Sequence, residues 1–354
     1  MIDSRLLRAV PLLLVLLTSG CASYYGQLAQ GQWQLLRDRQ PLERVIADPA
    51  TDPALQRRLA LAGHARDFAS ARLGLPDNGS YRSYVELDRP FVVWNVFATE
   101  EFSVEPRQHC FPIAGCVASR GYFRLGRARG AAALLAAEGL DTWVAPVDAY
   151  STLGWFDDPL LSSMLRRDDA RLAGVIFHEL AHQQQYLPGD TAFNESYASF
   201  VEQEGLREWQ DLRGEPARDT ADAHRRAFVE QVLATRERLA ALYARDLPAE
   251  AMRQAKAAQF ERLRRDYRAL RDRHWPGDLR FEAWLAGPLN NAKLLPFGLY
   301  DRWLPAFATL FEESGRDWPR FHAAARELAR LPAERRLAEL QRLVAASESE
   351  DAPR

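Results

Sequence analysis

Two kinds of hydrophobic pattern divide the chain into a helical majority and a strand-rich segment. Between Asp219 and Arg273, apolar residues recur at three- and four-residue steps among many charges, which is typical of amphipathic helices. The break at Asp246-Leu247-Pro248 predicts that this stretch folds as an antiparallel helical hairpin. Further helices are predicted for Tyr24–Arg39 and for the segment that Asp52-Pro53 opens, because aspartate can cap a helix and proline fits its first turn.

Short segments rich in aromatic and β-branched residues predict strands in the first half of the chain. They are Tyr84–Leu87, Phe91–Ala98, Phe102–Val104 and Gly121–Leu125. Thr142–Val147 is apolar enough to be a strand inside a sheet, and the alanine-rich segment Arg127–Glu138 predicts a helix that Gly139 ends. Together with an aromatic, helical C-terminal part at residues 281–345, these segments predict a helix-rich α+β fold.

The N-terminal pattern differs from the rest of the chain. Arg5 and Arg8 precede an apolar run from Ala9 to Leu17, and small residues follow it. A charged start, a short apolar middle and a small-residue end are the features of a secretory signal peptide. The run is too short to span a bilayer as a mature helix, which takes about 20 residues. We therefore expect residues 1–20 to be a signal peptide and residues 21–354 to form one domain.

Ser19-Gly20-Cys21 resembles the bacterial lipoprotein box, in which the cysteine is lipidated and becomes the first residue of the mature chain. Thr18 departs from the pattern, which prefers leucine there. The resemblance implies that Cys21 is a lipid anchor and that the protein faces the periplasm of a bacterial cell envelope. Ala22-Ser23 behind the cysteine resembles outer-membrane sorting. An ordinary secretory signal that contains a cysteine is the alternative.

Cys110 and Cys116 are the other two cysteines. An oxidising compartment allows them to form a disulfide, and Pro112 and Gly115 let the segment between them turn tightly. A bridge that closes so short a loop would mainly fix local shape. Two free thiols are the alternative.

The charge distribution excludes one class of partner. The formal net charge is −2, spread without a long run of one sign. A nucleic-acid-binding protein normally carries a clustered basic surface, so nucleic acid is not an expected partner.

The segment Val175-Ile176-Phe177-His178-Glu179-Leu180-Ala181-His182 carries the clearest chemistry. Residues four apart lie on one face of a helix, so His178 and His182 can bind one metal ion. Glu179 is close enough to reach a metal-bound water without coordinating the metal, which suits a general base. Asp168 or Asp169 is expected to cap this helix. The spacing therefore predicts a Zn²⁺ site for hydrolysis, with Glu179 as the catalytic base.

A catalytic zinc site needs a third protein ligand. Asn194-Glu195-Ser196 resembles the segment that supplies this ligand in the gluzincins, the thermolysin-like metallopeptidases, and Glu195 is the ligand that the resemblance implies. Glu202, two turns further along the same helix face, and Glu204 are the alternatives. Asn194 or Asp190 could brace a ligand histidine from behind.

Several features together resemble the bacterial putative aminopeptidase family. They are Cys21 followed by Tyr24-Tyr25 and Gln27, the His-Glu-Leu-Ala-His helix, Asn194–Ala198, and the late stretch Asn290-Asn291-Ala292. The resemblance covers most of the mature chain and implies a zincin-like domain with the helical hairpin as an insertion. It also implies that the protein removes N-terminal residues from peptide substrates.

Other site residues are expected from the chemistry of peptide hydrolysis, which needs a donor for the tetrahedral oxyanion. Tyr300 is the favoured donor and Tyr197 its rival, while Asn290 and Asn291 are expected to hydrogen-bond substrate backbone. An aminopeptidase also needs an acidic group for the free α-amine, which Asp157, Asp158 or Glu202 would supply.

The sequence predicts a membrane-anchored zinc peptidase acting on peptides, and the family resemblance implies that it is an aminopeptidase. Two alternatives remain open: a zinc endopeptidase with the same site, and a non-enzymatic periplasmic scaffold with a structural metal. The sequence does not indicate an oligomeric state.

Overall fold

The computed structural model describes residues 20–111, 115–215, 219–300 and 302–350. The predicted signal peptide, residues 1–20, falls outside this part of the chain except for its last residue. Within the described residues, no helix has both the length and the apolar character needed to cross a membrane.

Helices dominate the structure, and strands are short. The helices are α1 Gly20–Asp38, α2 Leu42–Ala47, α3 Pro53–Ala71, α4 Leu125–Ala137, α5 Asp169–Gln184, α6 Thr191–Arg213, α7 Asp219–Tyr243, α8 Ala249–His274, α9 Glu282–Ala286, α10 Asn291–Tyr300, α11 Leu304–Glu313, α12 Trp318–Arg330 and α13 Ala333–Glu350. The strands are β1 Gln40–Pro41, β2 Ser83–Val85, β3 Val93–Thr99, β4 His109–Phe111, β5 Gly115–Val117, β6 Ser119–Tyr122, β7 Asp141–Val147 and β8 Leu160–Leu161. The predicted α+β class is confirmed at this level, and the zincin-like fold remains a prediction.

The main sheet is antiparallel, in the order β6-β3-β7. Side chains alternate along β3: Trp94 and Val96 pack against Ala128 and Ala132 of α4, which covers one face. The next residue, Phe97, points to the other face and packs against α10. The strand predicted at 142–147 is confirmed as β7, but it lies at an edge of the sheet, because β3 is the central strand.

Helix α1 closes the other edge of this sheet through a side chain. The carboxamide of Gln27 donates from Nε2 to the carbonyl of Gly121 at 3.1 Å and accepts from the amide of Phe123 at 3.0 Å. These are the bonds that a neighbouring strand would make, and Gln27 is 5 % exposed. One side chain therefore satisfies two backbone groups at the edge of β6.

The helical hairpin is confirmed as α7 and α8, which pack against each other around Phe228, Val232 and Leu263. Phe102 and Val104 pack against this cluster, and the carbonyl of Val104 accepts from Arg236 at 2.9 Å. The prediction of a strand at 102–104 is therefore wrong, because these apolar residues pack on helices instead of pairing with a strand. The predicted strand 121–125 is also too long at its end, since β6 stops at Tyr122 and α4 begins at Leu125.

A buried network joins three helical segments. Tyr197 of α6 contacts His322 Nδ1 of α12 through its hydroxyl at 2.8 Å, and His322 Nε2 contacts the carbonyl of Leu73, just after α3, at 2.8 Å. Since only an N–H can donate to a carbonyl, Nε2 carries the proton and the Tyr197 hydroxyl donates to Nδ1. Burial lowers the pKa of His322 to about 4.

Replacing Gln27 by alanine is expected to lower the free energy of unfolding by about 1–3 kcal/mol, because two backbone groups at the sheet edge lose their partner. Urea denaturation followed by circular dichroism measures this. Gln30→Ala, an exposed position on the same helix, is the control. Equal effects of the two substitutions would contradict the role assigned to Gln27.

His322 is expected to make stability depend on pH. Its folded-state pKa is depressed, so the unfolded chain binds more protons, and its contribution is present above about pH 6.5 and lost as pH falls toward about 4. His322→Gln should therefore show a smaller fall in unfolding free energy between about pH 7 and about pH 4.5 than the wild type. His64→Gln, at an exposed histidine, should behave like the wild type; an unchanged fall in His322→Gln would refute the assignment.

Candidate metal centre and cleft

Helix α5 presents the two motif histidines. Asp168 caps its start by accepting from the amide of Arg171 at 2.9 Å. Ile176, Phe177 and Leu180 are fully buried, which fixes the rotation of the helix about its axis. The remaining face carries His178 and His182 into a cleft.

Helix α6 supplies the next acidic residue. Asn194 accepts from the amide of Leu187 at 2.7 Å and donates to its carbonyl at 2.8 Å, so it closes the connecting loop onto the helix start. Asp190 caps the helix by accepting from the amide of Phe193 at 3.1 Å. Asn194 and Asp190 therefore fix the position of Glu195, and the expectation that either braces a ligand histidine is corrected.

His178, His182 and Glu195 form a group whose potential ligand atoms all lie within 4.8 Å of one another. The Nε2 atoms of the two histidines are 3.2 Å apart. The Glu195 Oε2 atom lies 3.4 Å from Nε2 of His178 and 3.8 Å from Nε2 of His182. Three atoms that commonly bind metals thus converge on one point, and these residues could hold a metal ion.

Glu202 occupies the far side of His178. Its Oε2 lies 3.0 Å from Nδ1 of the ring, and its Oε1 accepts from Arg171 at 3.3 Å. Burial works against ionisation, but the hydrogen bond to His178 and the charge of Arg171 lower the pKa of Glu202 to about 2. A charged carboxylate therefore orients the ring so that Nε2 faces Glu195. Glu202 sits behind the group rather than in it.

The two histidines have opposite pKa shifts. Burial alone would lower the pKa of His178, but its hydrogen bonds and the charges of Glu195 and Glu202 raise it to about 10. Burial lowers the pKa of His182 to about 4. Nδ1 of His182 is buried, and no hydrogen-bond partner for it occurs in the described part of the chain.

Glu179 lines the same cleft, next to the group. Burial raises the pKa of its carboxyl to about 7, and the neighbouring charges of Glu195 and Asp158 also raise it. His178 opposes this shift. A carboxyl with such a pKa can both accept and donate a proton near neutral pH.

The cleft is about 710 Å³ in volume and has walls from distant parts of the chain. Helix α1 contributes Tyr24 and Tyr25, and strand β3 contributes Asn95. The β4–β5 hairpin contributes Phe111, and a disulfide between Cys110 and Cys116 spans that hairpin. Aromatic side chains therefore surround a small polar centre.

A sequence model of the family described as "Putative aminopeptidase" matches residues 23–340. The chain belongs to the putative aminopeptidase family. The matched range contains helix α5 and all three residues of the group, His178, His182 and Glu195, and it begins within α1. Membership supports peptidase-type hydrolysis and implies peptide substrates. No curated protein and no solved structure matches the chain.

Other predicted site residues of this aminopeptidase-family protein lie elsewhere. Asn290 donates to the carbonyl of Thr142 at 2.9 Å, and the side chain of Asn291 donates to the carbonyl of Glu101 at 3.0 Å. Tyr243 donates to Asn291 at 2.8 Å. The expected role of Asn290 and Asn291 in substrate binding is corrected: neither lines the cleft, and both fasten α10 to its neighbours.

The structure places one of the two predicted oxyanion donors and leaves the side chain of the other undescribed. Tyr197 is fully buried and bonded to His322, away from the cleft lining. Tyr300 ends helix α10, and its side chain lies outside the described residues. The role of Tyr300 therefore stays a prediction.

The predicted acidic groups for an α-amine do not line the cleft. The carboxylate of Asp158 accepts from the amide of Thr152 at 2.8 Å and is buried. Glu202 holds His178, and Glu204, the other alternative ligand, pairs with Arg207 and Arg316. The spacing of Glu202 and Glu195 on one helix face is visible in the sequence, but the bracing of His178 by Glu202 was not predicted.

Proposed function

We propose that this protein is a zinc-dependent peptide hydrolase of the zincin type. One observation carries the proposal: two imidazole nitrogens and a carboxylate oxygen converge beside the half-buried Glu179 in a cleft large enough for a peptide segment. Family membership supplies the substrate class.

The group fits zinc in chemistry and in spacing. Two histidines and one glutamate are a donor set that catalytic zinc commonly has. Ligand atoms about 2.0–2.1 Å from a tetrahedral ion are about 3.3 Å apart, and the two Nε2 atoms are 3.2 Å apart. When bound, zinc supplies the Lewis acidity that makes water nucleophilic near neutral pH and polarises a carbonyl.

Glu179 carries the proton in this proposal. Its carboxylate accepts a proton from the attacking water and passes that proton to the leaving amine when the peptide bond breaks. Burial favours the protonated form of this carboxyl, which it adopts between the two steps. Glu195 and the two histidines hold the ion, and Glu202 keeps His178 in the orientation that exposes Nε2.

An aminopeptidase activity is the proposal that the family supports. An endopeptidase with the same centre is the second candidate, favoured by the positions of Asp157, Asp158 and Glu202, which do not line the cleft. Digesting one peptide with a free and with an acetylated N-terminus separates the two. An aminopeptidase cleaves only the free form.

We also propose that a lipid on Cys21 anchors the protein and that it faces the periplasm from the outer membrane. Cys21 precedes Tyr24 by three residues, about 4.5 Å along a helix axis. An anchor there would hold the cleft close to a membrane surface. Metabolic labelling with a radioactive fatty acid, compared between the wild type and Cys21→Ser, tests this.

Glu179→Gln is expected to retain zinc and to lose peptide hydrolysis by a factor of about 10²–10⁴, because the amide cannot take up the proton. Zinc content by atomic absorption and release of new amino groups from peptides are the two measurements. Substantial turnover by a zinc-loaded Glu179→Gln protein would refute the assigned role. A wild-type protein without chelator-sensitive hydrolysis would favour the scaffold alternative.

Glu202→Gln is expected to weaken zinc binding by about 10–100-fold, since a neutral amide holds the His178 ring less firmly. Competition with a chromogenic chelator measures the affinity. Glu204→Gln changes the same residue type on the same helix, at a carboxylate paired with arginines, and should leave zinc affinity unchanged. An equal loss in the two variants would argue against bracing by Glu202.

A further inference from the structure

Residues 151–158, which we call the aromatic loop, project two large side chains at the cleft. Trp155 and Phe156 expose 67 % and 49 % of their surfaces. Both line the cavity that contains His178 and Glu179. Large exposed apolar surface on a protein commonly marks an interaction site.

Hydrogen bonds hold the loop in one shape. The buried carboxylate of Asp158 accepts from the amide and the hydroxyl of Thr152, at 2.8 and 2.9 Å. The amide of Phe156 donates to the Thr152 hydroxyl at 3.1 Å, and the amide of Trp155 donates to the Thr152 carbonyl at 3.1 Å. The two aromatic residues therefore stand on a closed loop.

The base of the loop is fixed to the body of the protein. The amide of Tyr81 donates to the Asp158 carbonyl at 2.6 Å, and the amide of Asp158 donates to the Ser80 hydroxyl at 3.3 Å. Gly154, with φ +82°, lies against Gln183, the residue after His182. The loop is thus positioned beside the helix that carries the metal-ligand group.

Other aromatic residues extend this surface inside the cleft. Tyr25, Phe111 and Tyr150 line the same cavity, and Tyr25 exposes 45 % of its surface. An apolar side chain that enters such a cavity removes its own surface and that of the aromatic rings from water. Because the cavity also contains the proposed hydrolytic centre, a peptide is the occupant that its chemistry indicates.

We propose that Trp155 and Phe156 form a specificity subsite that binds a bulky apolar side chain of the peptide substrate. This inference rests on the proposed function and names the substrate class: peptides with an aromatic or large aliphatic residue near the bond that is cut. The two residues contact the substrate side chain and take no part in proton transfer.

The test measures binding apart from catalysis. The full chain with Glu179→Gln is titrated calorimetrically with short peptide amides that have free N-termini, in which phenylalanine or serine occupies each position in turn. At one position, phenylalanine is expected to bind about tenfold or more tightly than serine. Adding Trp155→Ser and Phe156→Ser should abolish that preference.

Trp33→Ser is the matched control. Trp33 exposes 66 % of its surface on α1 and does not line the cleft, so its replacement should leave the preference intact. Equal binding of phenylalanine and serine peptides at every position, or a preference that survives the double substitution, would overturn the inference. Loss of binding to phosphatidylglycerol vesicles with unchanged peptide preference would assign the two residues to a lipid surface instead.

Failure of the inference and failure of the proposed function give different results. If the wild type shows no zinc-dependent hydrolysis but the phenylalanine preference depends on Trp155 and Phe156, the subsite stands and the hydrolase proposal falls. If hydrolysis is zinc-dependent but indifferent to apolar residues and to both substitutions, the hydrolase proposal stands and the subsite falls.

Discussion

The packing of α5 against α6 is the interaction on which the candidate site depends, because one helix carries both histidines and the other carries Glu195 and Glu202. Glycines allow the close approach. A Cβ atom on Gly174 of α5 would lie 3.2 Å from Glu202, and one on Gly205 of α6 would lie 3.2 Å from the Phe177 ring. The ring of Phe177 in turn packs against Phe68 of α3, with centroids 5.7 Å apart. Burial on these sides fixes the depth and rotation of both helices. The distances between His178, His182 and Glu195 follow from that arrangement.

The same packing brings three carboxylates close together, and a cation beside them would reduce their mutual repulsion. Glu179, Glu195 and Glu202 are carboxylates gathered around two buried imidazoles, and burying like charges together is unfavourable. In the structure, His178 and Arg171 offset part of this charge; burial raises the pKa of Glu179, and the charges of Glu195 and Glu202 add to that rise. A divalent ion between the rings would stabilise the ionised forms of these carboxylates, including the one proposed to move the proton. These charges agree with the metal ion that we propose for the group of His178, His182 and Glu195.

Local sequence patterns predicted the features that are determined by residues close together in the chain. The spacing of His178 and His182 on one helix face, the cap at Asp168 and the hairpin break near 246–248 all follow from a few residues in sequence. The choice between Glu195 and Glu202 does not, since both lie on one face of α6 and only the orientation of the His178 ring decides which nitrogen each carboxylate meets. The role of Asn290 and Asn291 was predicted wrongly because their partners, Thr142 and Glu101, lie more than a hundred residues away in the chain. The edge position of β7 likewise depends on strand pairing across the chain, which no local pattern reports.

Helix α1 is a structural part of the cleft. Tyr24 and Tyr25 form part of the cleft wall, and Gln27 supplies hydrogen bonds to the edge of β6. A protease that cut after this helix would not liberate a smaller working version of the protein. It would open one side of the cavity and leave two backbone groups of the sheet without their partner, so trimming at this end would act as inactivation rather than release.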